Sequence, residues 1–149
     1  MKLIKTIIVG TDGSDTAAQA VVQAGQLAEK LDGELVIVSA FDPVPEGRLK
    51  EERVEAPADV EWAINEREDV DAMLSQIAAP MLERGVKVRT TARQGNPADA
   101  ILDVAEEEHG DLIVVGNKGM AGARRFLLGS VPNKISHHAP CSVLIVRTT

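Results

Sequence analysis

The chain has 149 residues, a formal net charge of −7 and a pI near 5.0, with a single cysteine, one tryptophan, two phenylalanines and no tyrosine. This length predicts one domain over residues 1–149, and the lone cysteine, without zinc-type Cys/His spacing, excludes an internal disulfide and favours the reducing cytoplasm. The acidic balance and the scarcity of stacking aromatics argue against nucleic-acid binding, and no apolar run reaches the roughly 20 residues that cross a membrane.

Five segments have the composition of β-strands. They are residues 3–9, 34–41, 86–93, 111–115 and 142–146. The third alternates apolar with polar residues, which is typical of an edge strand with one wet face. The last, Ser142–Val146, is apolar on both faces and lacks the charge or proline that usually protects an edge. We therefore predict that it pairs with a second copy of the chain in a homodimer.

The segment after the first strand predicts a helix. Apolar residues recur at helical spacing over residues 17–31, which gives one buried face. Ser14 or Asp15 is placed to cap the start of this helix. Gly33 is placed to end it.

Two further helices are predicted between the second and fourth strands. An apolar stripe runs over residues 70–81, where Pro80 should kink or break the last turn. Asn96 then caps a helix that has Pro97 at its first position and ends at Gly110.

Residues 46–69 differ in character from the rest, with nine acidic and four basic residues. The pattern predicts an irregular excursion that becomes helical after Asp59. It is either a solvated connection or a segment that recognises a protein partner.

Strands that alternate with helices predict right-handed crossovers and an α/β fold. We expect a single doubly wound, five-stranded parallel sheet with helices on both faces and the strand order 3-2-1-4-5. The loop Gly10–Ser14 after strand one and the loop Gly116–Gly119 after strand four then leave the same sheet edge as neighbours. Because ligands bind outside the carboxyl ends of strands where the strand order reverses, one crevice should receive both loops.

The loop after strand four, GNKGMAGARRFLLGS over residues 116–130, is suited to an anion. Its glycines let a ligand approach main-chain N–H groups, and Ser130 stands where a helix N-cap would leave amides pointing outward. Residues 112–149 contain five Lys or Arg and no Asp or Glu. We predict a phosphate site here, with a solvated loop as the alternative.

The spacing Gly116-x-x-Gly119, nine residues, Gly129-Ser130, together with the loop Gly10–Ser14, resembles the universal stress protein family. The resemblance covers the whole chain and implies a Rossmann-like, adenine nucleotide alpha hydrolase-like fold. It implies a cytoplasmic stress-response protein that binds ATP or cyclic AMP, with Mg²⁺ as a companion of ATP, and acts as a nucleotide-linked regulator or buffer. The segment LLGSVPNKIS looks like a subgroup that prefers a cyclic nucleotide, so both ligands stay open.

The resemblance also assigns roles to residues. Asp12 and Ala40 would meet the adenine or ribose, and the glycines of the later loop would meet phosphate with Ser130. The nucleotide-binding set is Gly10, Thr11, Asp12, Gly13, Ser14, Ala40, Val115, Gly116, Lys118, Gly119, Gly129, Ser130 and Val131. Asp12 and Ser130 are equally suited to cap a turn or helix. Asn117 stands where the family frequently has Ser or Thr.

Other functions are less compatible with the residues. We find no nucleophile paired with a base and no water-activating group in the loop, so catalysis beyond slow ATP hydrolysis is not supported. The adjacent His137 and His138 point in different directions on a helix, which argues against a metal site. The main alternative is a homodimeric protein-interaction scaffold that binds no nucleotide. A phosphoacceptor receiver domain would need more acids than Asp12 beside strand one.

Overall fold

The structure, a computed structural model, describes residues 3–41, 66–117 and 128–148. The elements in chain order are β1 (Thr6–Gly10), α1 (Asp15–Leu31), β2 (Glu34–Phe41), α2 (Glu66–Glu83), β3 (Lys87–Gln94), α3 (Pro97–Glu107), β4 (Leu112–Gly116), α4 (Ser130–His138) and β5 (Ser142–Val146). All five predicted strands are present, although β1 begins three residues later than expected. Across these ranges, no helix has the combined length and apolar character that crossing a membrane requires.

The five strands form one parallel sheet in the order β3-β2-β1-β4-β5, which confirms the predicted fold and strand order. In the register of the central strands, Ile8 of β1 lies beside Val36 of β2 and Ile113 of β4. The chain moves outward from β1 to β3 and then returns to place β4 on the other side of β1. The strand order therefore reverses between β1 and β4, and a crevice is expected at their carboxyl ends.

Helices cover both faces of the sheet, which explains why its central strands are apolar throughout. Side chains alternate between the two faces, so Ile7 and Val9 pack with α1 and α2 while Ile8 packs with α3 and α4. All three side chains are fully buried. The charged and polar alternation of β3 fits its position at one edge, as predicted, and β5 forms the other edge.

The predicted N-caps of α1 and α3 are confirmed. The Ser14 Oγ accepts a hydrogen bond from the Ala17 N–H at 3.2 Å. The Asn96 Oδ1 accepts from the N–H groups of Ala98 at 2.9 Å and Asp99 at 3.3 Å. Each side chain satisfies amides that have no partner within the helix.

The glycines expected to end α1 and α3 do not take the left-handed conformation. That conformation belongs to the residue before each glycine, Asp32 and His109, both at φ 52°. Gly33 is required for a different reason, since a Cβ there would lie 2.6 Å from the Lys5 carbonyl oxygen. Gly110 likewise sits where a Cβ would crowd a side chain of β1. Close packing, not a turn conformation, requires glycine at both positions.

Pro80 does not end α2, which continues to Glu83. The last turn is held by Met81, only 5% exposed, which packs against α1 at Gly25. This buried contact outweighs the single helical hydrogen bond that proline cannot make.

Candidate functional site

A cleft of about 140 Å³ opens at the carboxyl ends of β1, β2 and β4. Seven residues of the predicted set line it: Gly10, Thr11 and Asp12 from the end of β1, Ala40 from β2, Val115 and Gly116 from β4, and Val131 from α4. The cleft therefore lies at the point where the strand order reverses. The loops after β1 and β4 both begin at it, as the expected strand order requires.

The cleft is mainly apolar, and Ile101 of α3 shapes its floor. A Cβ on Gly10 would lie well inside 3.0 Å of the Ile101 Cδ1 and 3.1 Å from its Cγ1. The Ile101 side chain thus packs directly on the bare backbone of Gly10. Because the φ of Gly10 is not positive, close approach is what requires glycine here.

The β1–α1 turn is built by its own side chains. The Thr11 N–H donates to the Val38 carbonyl at 2.9 Å, which extends the pairing of β1 with β2. The Thr11 Oγ1 accepts from the Gly13 N–H at 3.1 Å, and the Asp12 Oδ1 accepts from the Ser14 N–H at 2.9 Å. Asp12 is exposed at the mouth of the cleft, so one carboxylate can shape the turn and also face a ligand.

Two other predicted residues of this turn do not line the cleft. A Cβ on Gly13, which has a φ of 83°, would overlap the Met73 sulfur of α2. The Ser14 hydroxyl caps α1 and contacts the Thr16 hydroxyl at 3.1 Å. Both residues support the turn from the side that faces α1 and α2.

The helix α4 begins beside the cleft without a side-chain cap. Its N-cap is Gly129, one residue before the predicted Ser130, and the Gly129 carbonyl accepts from the Asn133 N–H at 3.1 Å. Glycine has no side chain to offer, so within the described part of the chain no side-chain cap serves the N–H groups of Ser130 and Val131, and Pro132 has no N–H. Such an uncapped first turn favours an anion.

The two ends of the loop between β4 and α4 are joined. The Gly129 N–H donates to the Asn117 carbonyl at 3.0 Å, and the Asn117 N–H donates to the Val146 carbonyl at 2.9 Å. The loop therefore leaves and returns at the carboxyl end of β4. Lys118 and Gly119, also predicted for the site, lie outside the described residues.

The shortest described ion pairs lie away from the cleft, around the edge strand β3 and the end of α3. Arg89 bonds both Glu34 and Glu108, with the Glu108 Oε2 at 2.5 Å from Nη2. Hydrogen bonding to Glu108 and then to Glu34 raises the pKa of Arg89, and the bond from Arg89 lowers the pKa of Glu108. Arg93 forms a similar pair with Glu107, which raises the Arg93 pKa. These pairs fasten α3 to the sheet.

No group of three or more His, Cys, Asp or Glu side chains converges as a metal site within the ranges that the structure covers. The closest charge to the cleft in α4, Lys134, forms an ion pair with Asp99 of α3 at 2.7 Å. Among the described residues, the groups at this end of α4 that suit an anion are therefore its main-chain amides.

Sequence reasoning missed six residues of the cleft: Ala17, Val38, Ser39, Pro97, Ile101 and Pro132. Val38 and Ser39 could have been found, since they precede Ala40 at the carboxyl end of β2. Ile101 could not have been found, because the apolar spacing of a buried helix face is the same whether that face packs on the core or lines a cleft.

The fold and the cleft define a class of doubly wound α/β domains that bind ligands where the strand order reverses. A model of the Universal stress protein family matches residues 3–147, and the chain belongs to this family.

Known relatives agree with this assignment. A universal stress protein of Mycobacterium tuberculosis is 37% identical over 150 residues and covers 100% of both chains. One of Methanocaldococcus jannaschii is 35% identical over 97% of this chain and 83% of its own. Among solved structures, a universal stress protein in complex with cAMP has a TM-score of 0.72 and 32% identity, over 99% of this chain and 100% of that one. The protein UspA from Lactobacillus plantarum has a TM-score of 0.74 at 24% identity, over 99% and 100% of the two chains, which supports the fold.

Proposed function

We propose that the cleft binds an adenine nucleotide, either cyclic AMP or ATP, and that the protein acts as a nucleotide-linked regulator or buffer in the stress response. The observation that carries this proposal is the uncapped start of α4 beside an apolar cleft. A solved relative in complex with cAMP, 32% identical over nearly the whole chain, supports the same ligand class.

The apolar part of the cleft suits a heterocyclic base. Its volume of about 140 Å³ is below the roughly 300 Å³ at which pockets for whole drug-sized ligands begin, so it fits one ring system. Val38, Ile101 and Val131 supply apolar surface against the faces of such a ring. Asp12 stands at the mouth, where the ribose hydroxyls would lie, and the buried Thr11 lines the cleft beside it.

The polar part suits a phosphate. The amides of Ser130 and Val131, which no side chain of the described residues caps, would provide donors, and Gly116 borders the same space. By resemblance to the family, Gly119 and Lys118 complete the phosphate site. Asp12 would repel a phosphate nearby, so the proposed orientation places the sugar, not the phosphate, against the β1 loop.

The proposal includes a cytoplasmic homodimer joined through β5. This strand is an edge of the sheet, and its Leu144 is 36% exposed. An apolar edge strand without protection favours pairing with another copy. The acidic segment 46–69, the proposed surface for a protein partner in the scaffold alternative, lies outside the described residues up to position 65.

Thermal unfolding with and without nucleotide tests the proposal. A ligand at about 100 times its Kd stabilises the folded state by about 2.7 kcal/mol, which raises the Tm of a chain of this size by about 5 to 11 °C. Cyclic AMP, AMP and ATP, the last with and without Mg²⁺, should be compared with GTP as the control. A shift for an adenine nucleotide supports the proposal, whereas no shift with any of them would favour the scaffold.

A pair of matched variants tests the anion site itself. Ser130→Asp places a carboxylate in the first turn of α4, where it stabilises the helix by about 0.3 to 1 kcal/mol but repels a phosphate. Ser136→Asp adds the same charge to the same helix, at an exposed position near its other end. We expect about tenfold weaker nucleotide binding for the first variant, since that repulsion is on the order of 1.4 kcal/mol, and little change for the second. Equal affinity in both variants would contradict a phosphate at this helix end.

A further inference from the structure

We infer that Asn117, held in place by Thr148, is a positioning residue of the site, an inference that rests on the proposed function. Asn117 does not line the cleft, but it follows Gly116, which does. It joins the end of β4 to the start of α4, the two elements whose main chains would meet the phosphate.

Asn117 uses its main chain and its side chain for different neighbours. Its N–H donates to the Val146 carbonyl at 2.9 Å, which continues the pairing of β4 with β5. Its carbonyl accepts from the Gly129 N–H at 3.0 Å and so fixes where α4 begins. Its Oδ1 accepts from both the N–H and the Oγ1 of Thr148, at 2.8 and 3.0 Å. One residue thus connects three separate segments.

Thr148 is an internal partner for this contact, since it is only 8% exposed. Its carbonyl also accepts from the Gln19 Nε2 of α1 at 3.4 Å. Because Thr148 is buried, loss of its hydroxyl leaves the partly buried Asn117 oxygen with one donor fewer.

The side chain of Asn117 therefore has a positioning role. Because both donors of Thr148 converge on Oδ1, this oxygen is committed to the segment after β5. The separation of Gly116 from Val131, on the two sides of the cleft, then depends on the Asn117–Gly129 bond. A small misplacement of these groups would reduce affinity more than stability.

The test compares Thr148→Val with Thr148→Ser. The valine side chain has nearly the shape of threonine but cannot donate to the Asn117 Oδ1, which keeps only the main-chain N–H of residue 148, whereas serine retains the hydroxyl. The Kd values for cyclic AMP and ATP are measured by titration calorimetry with each variant and the unchanged protein. We expect a roughly three- to tenfold weaker Kd for valine, the range that losing one hydrogen bond implies, and recovery with serine.

The control for general destabilisation is Val86→Ala, a buried position next to β3 at the opposite end of the sheet. It should lower the Tm at least as much as Thr148→Val while leaving the Kd unchanged. An equal loss of affinity in the control, or an unchanged Kd in Thr148→Val, would overturn the inference.

A second readout needs no ligand. The exchange rate of the Gly129 amide proton, measured by NMR without nucleotide, should rise in Thr148→Val and return in Thr148→Ser. An unchanged rate would show that Thr148 does not position the start of α4, whatever the ligand. If the unchanged protein binds neither nucleotide, the proposed function fails, and the role of Asn117 in the nucleotide site fails with it. The exchange rate still tests whether Thr148 positions the Gly129 amide.

Discussion

The effect of Gly10→Ala on the free energy of unfolding should depend strongly on the side chain at position 101. The new Cβ would lie well inside 3.0 Å of the Ile101 Cδ1 and 3.1 Å from its Cγ1. Real Cβ atoms do not approach so closely, so the end of the Ile101 side chain must turn away. Ile101 is 4% exposed and lines the cleft, so any new rotamer disturbs either the α3 packing or the ligand space.

The magnitude follows from the atoms involved. Overpacking of this kind costs about 1 to 3 kcal/mol of unfolding free energy. Ile101→Val removes the Cδ1 itself, at a cost of about 0.5 to 1.5 kcal/mol. With Cδ1 absent, the remaining 3.1 Å approach is tight but tolerable. Gly10→Ala should therefore cost less than about 1 kcal/mol in the Ile101→Val background, a size usual for well-accommodated changes.

Urea unfolding of the four proteins in this double-mutant cycle measures the coupling. We expect the double variant to be more stable than the sum of the single changes predicts, and to recover nucleotide affinity lost in Gly10→Ala. Additivity of the two changes within about 0.3 to 0.5 kcal/mol would refute the packing of Ile101 on Gly10.

Three further changes have defined outcomes. Gly119→Val should abolish nucleotide binding while leaving the far-UV circular dichroism unchanged, because a β-branched side chain blocks approach to the backbone; retained affinity would exclude Gly119 from the phosphate site. Asn96→Ala removes the cap of α3 and should lower the unfolding free energy by about 1 kcal/mol, or the Tm by about 2 to 4 °C, and an unchanged Tm would count against the cap. Glu108→Gln should make the free energy of unfolding depend less on pH in the acid range. Arg89 holds the pKa of Glu108 below its ordinary value, so the ionised carboxylate stabilises the folded state at pH values above its unfolded pKa. This stabilisation is lost as the pH falls through the folded pKa. The variant should lose less stability than the unchanged protein between about pH 5 and 3 in urea titrations, and parallel curves would contradict the bond to Arg89.

Local signals were sufficient for most of the fold. The central strands β1, β2 and β4 are apolar runs because helices cover the sheet on both faces. The caps Ser14 and Asn96 act within three residues of themselves. The alternation of strands and helices predicted the doubly wound parallel sheet, and the expected order, with strands one and four as neighbours, brings the two unusual loops to one crevice.

Features set by contacts distant in sequence could not be predicted. Gly129 rather than Ser130 caps α4, and the Gly129 amide bonds to Asn117, twelve positions earlier. Pro80 stays within a helix because Met81 packs against α1. The spacing of residues along the chain does not predict such tertiary contacts. A shift of one residue at the start of a helix also lies within the usual uncertainty of helix boundaries.

The same limit applies to the cleft. The glycine motifs indicated which loops form it, but its walls come from helix starts and from Ile101, whose spacing is that of an ordinary core position. The place of Ile101 in the wall of the cleft depends on the missing side chain of Gly10, which lies in another element.

Amide chemical-shift mapping with cyclic AMP and with ATP tests the central claim most directly. If the cleft and the open start of α4 hold the nucleotide, the largest saturable shifts will fall on Thr11, Gly116, Ser130 and Val131. Shifts confined to the groove between α1 and α2, around Gln76 and Arg84, or no saturable shifts with either nucleotide, would contradict the account.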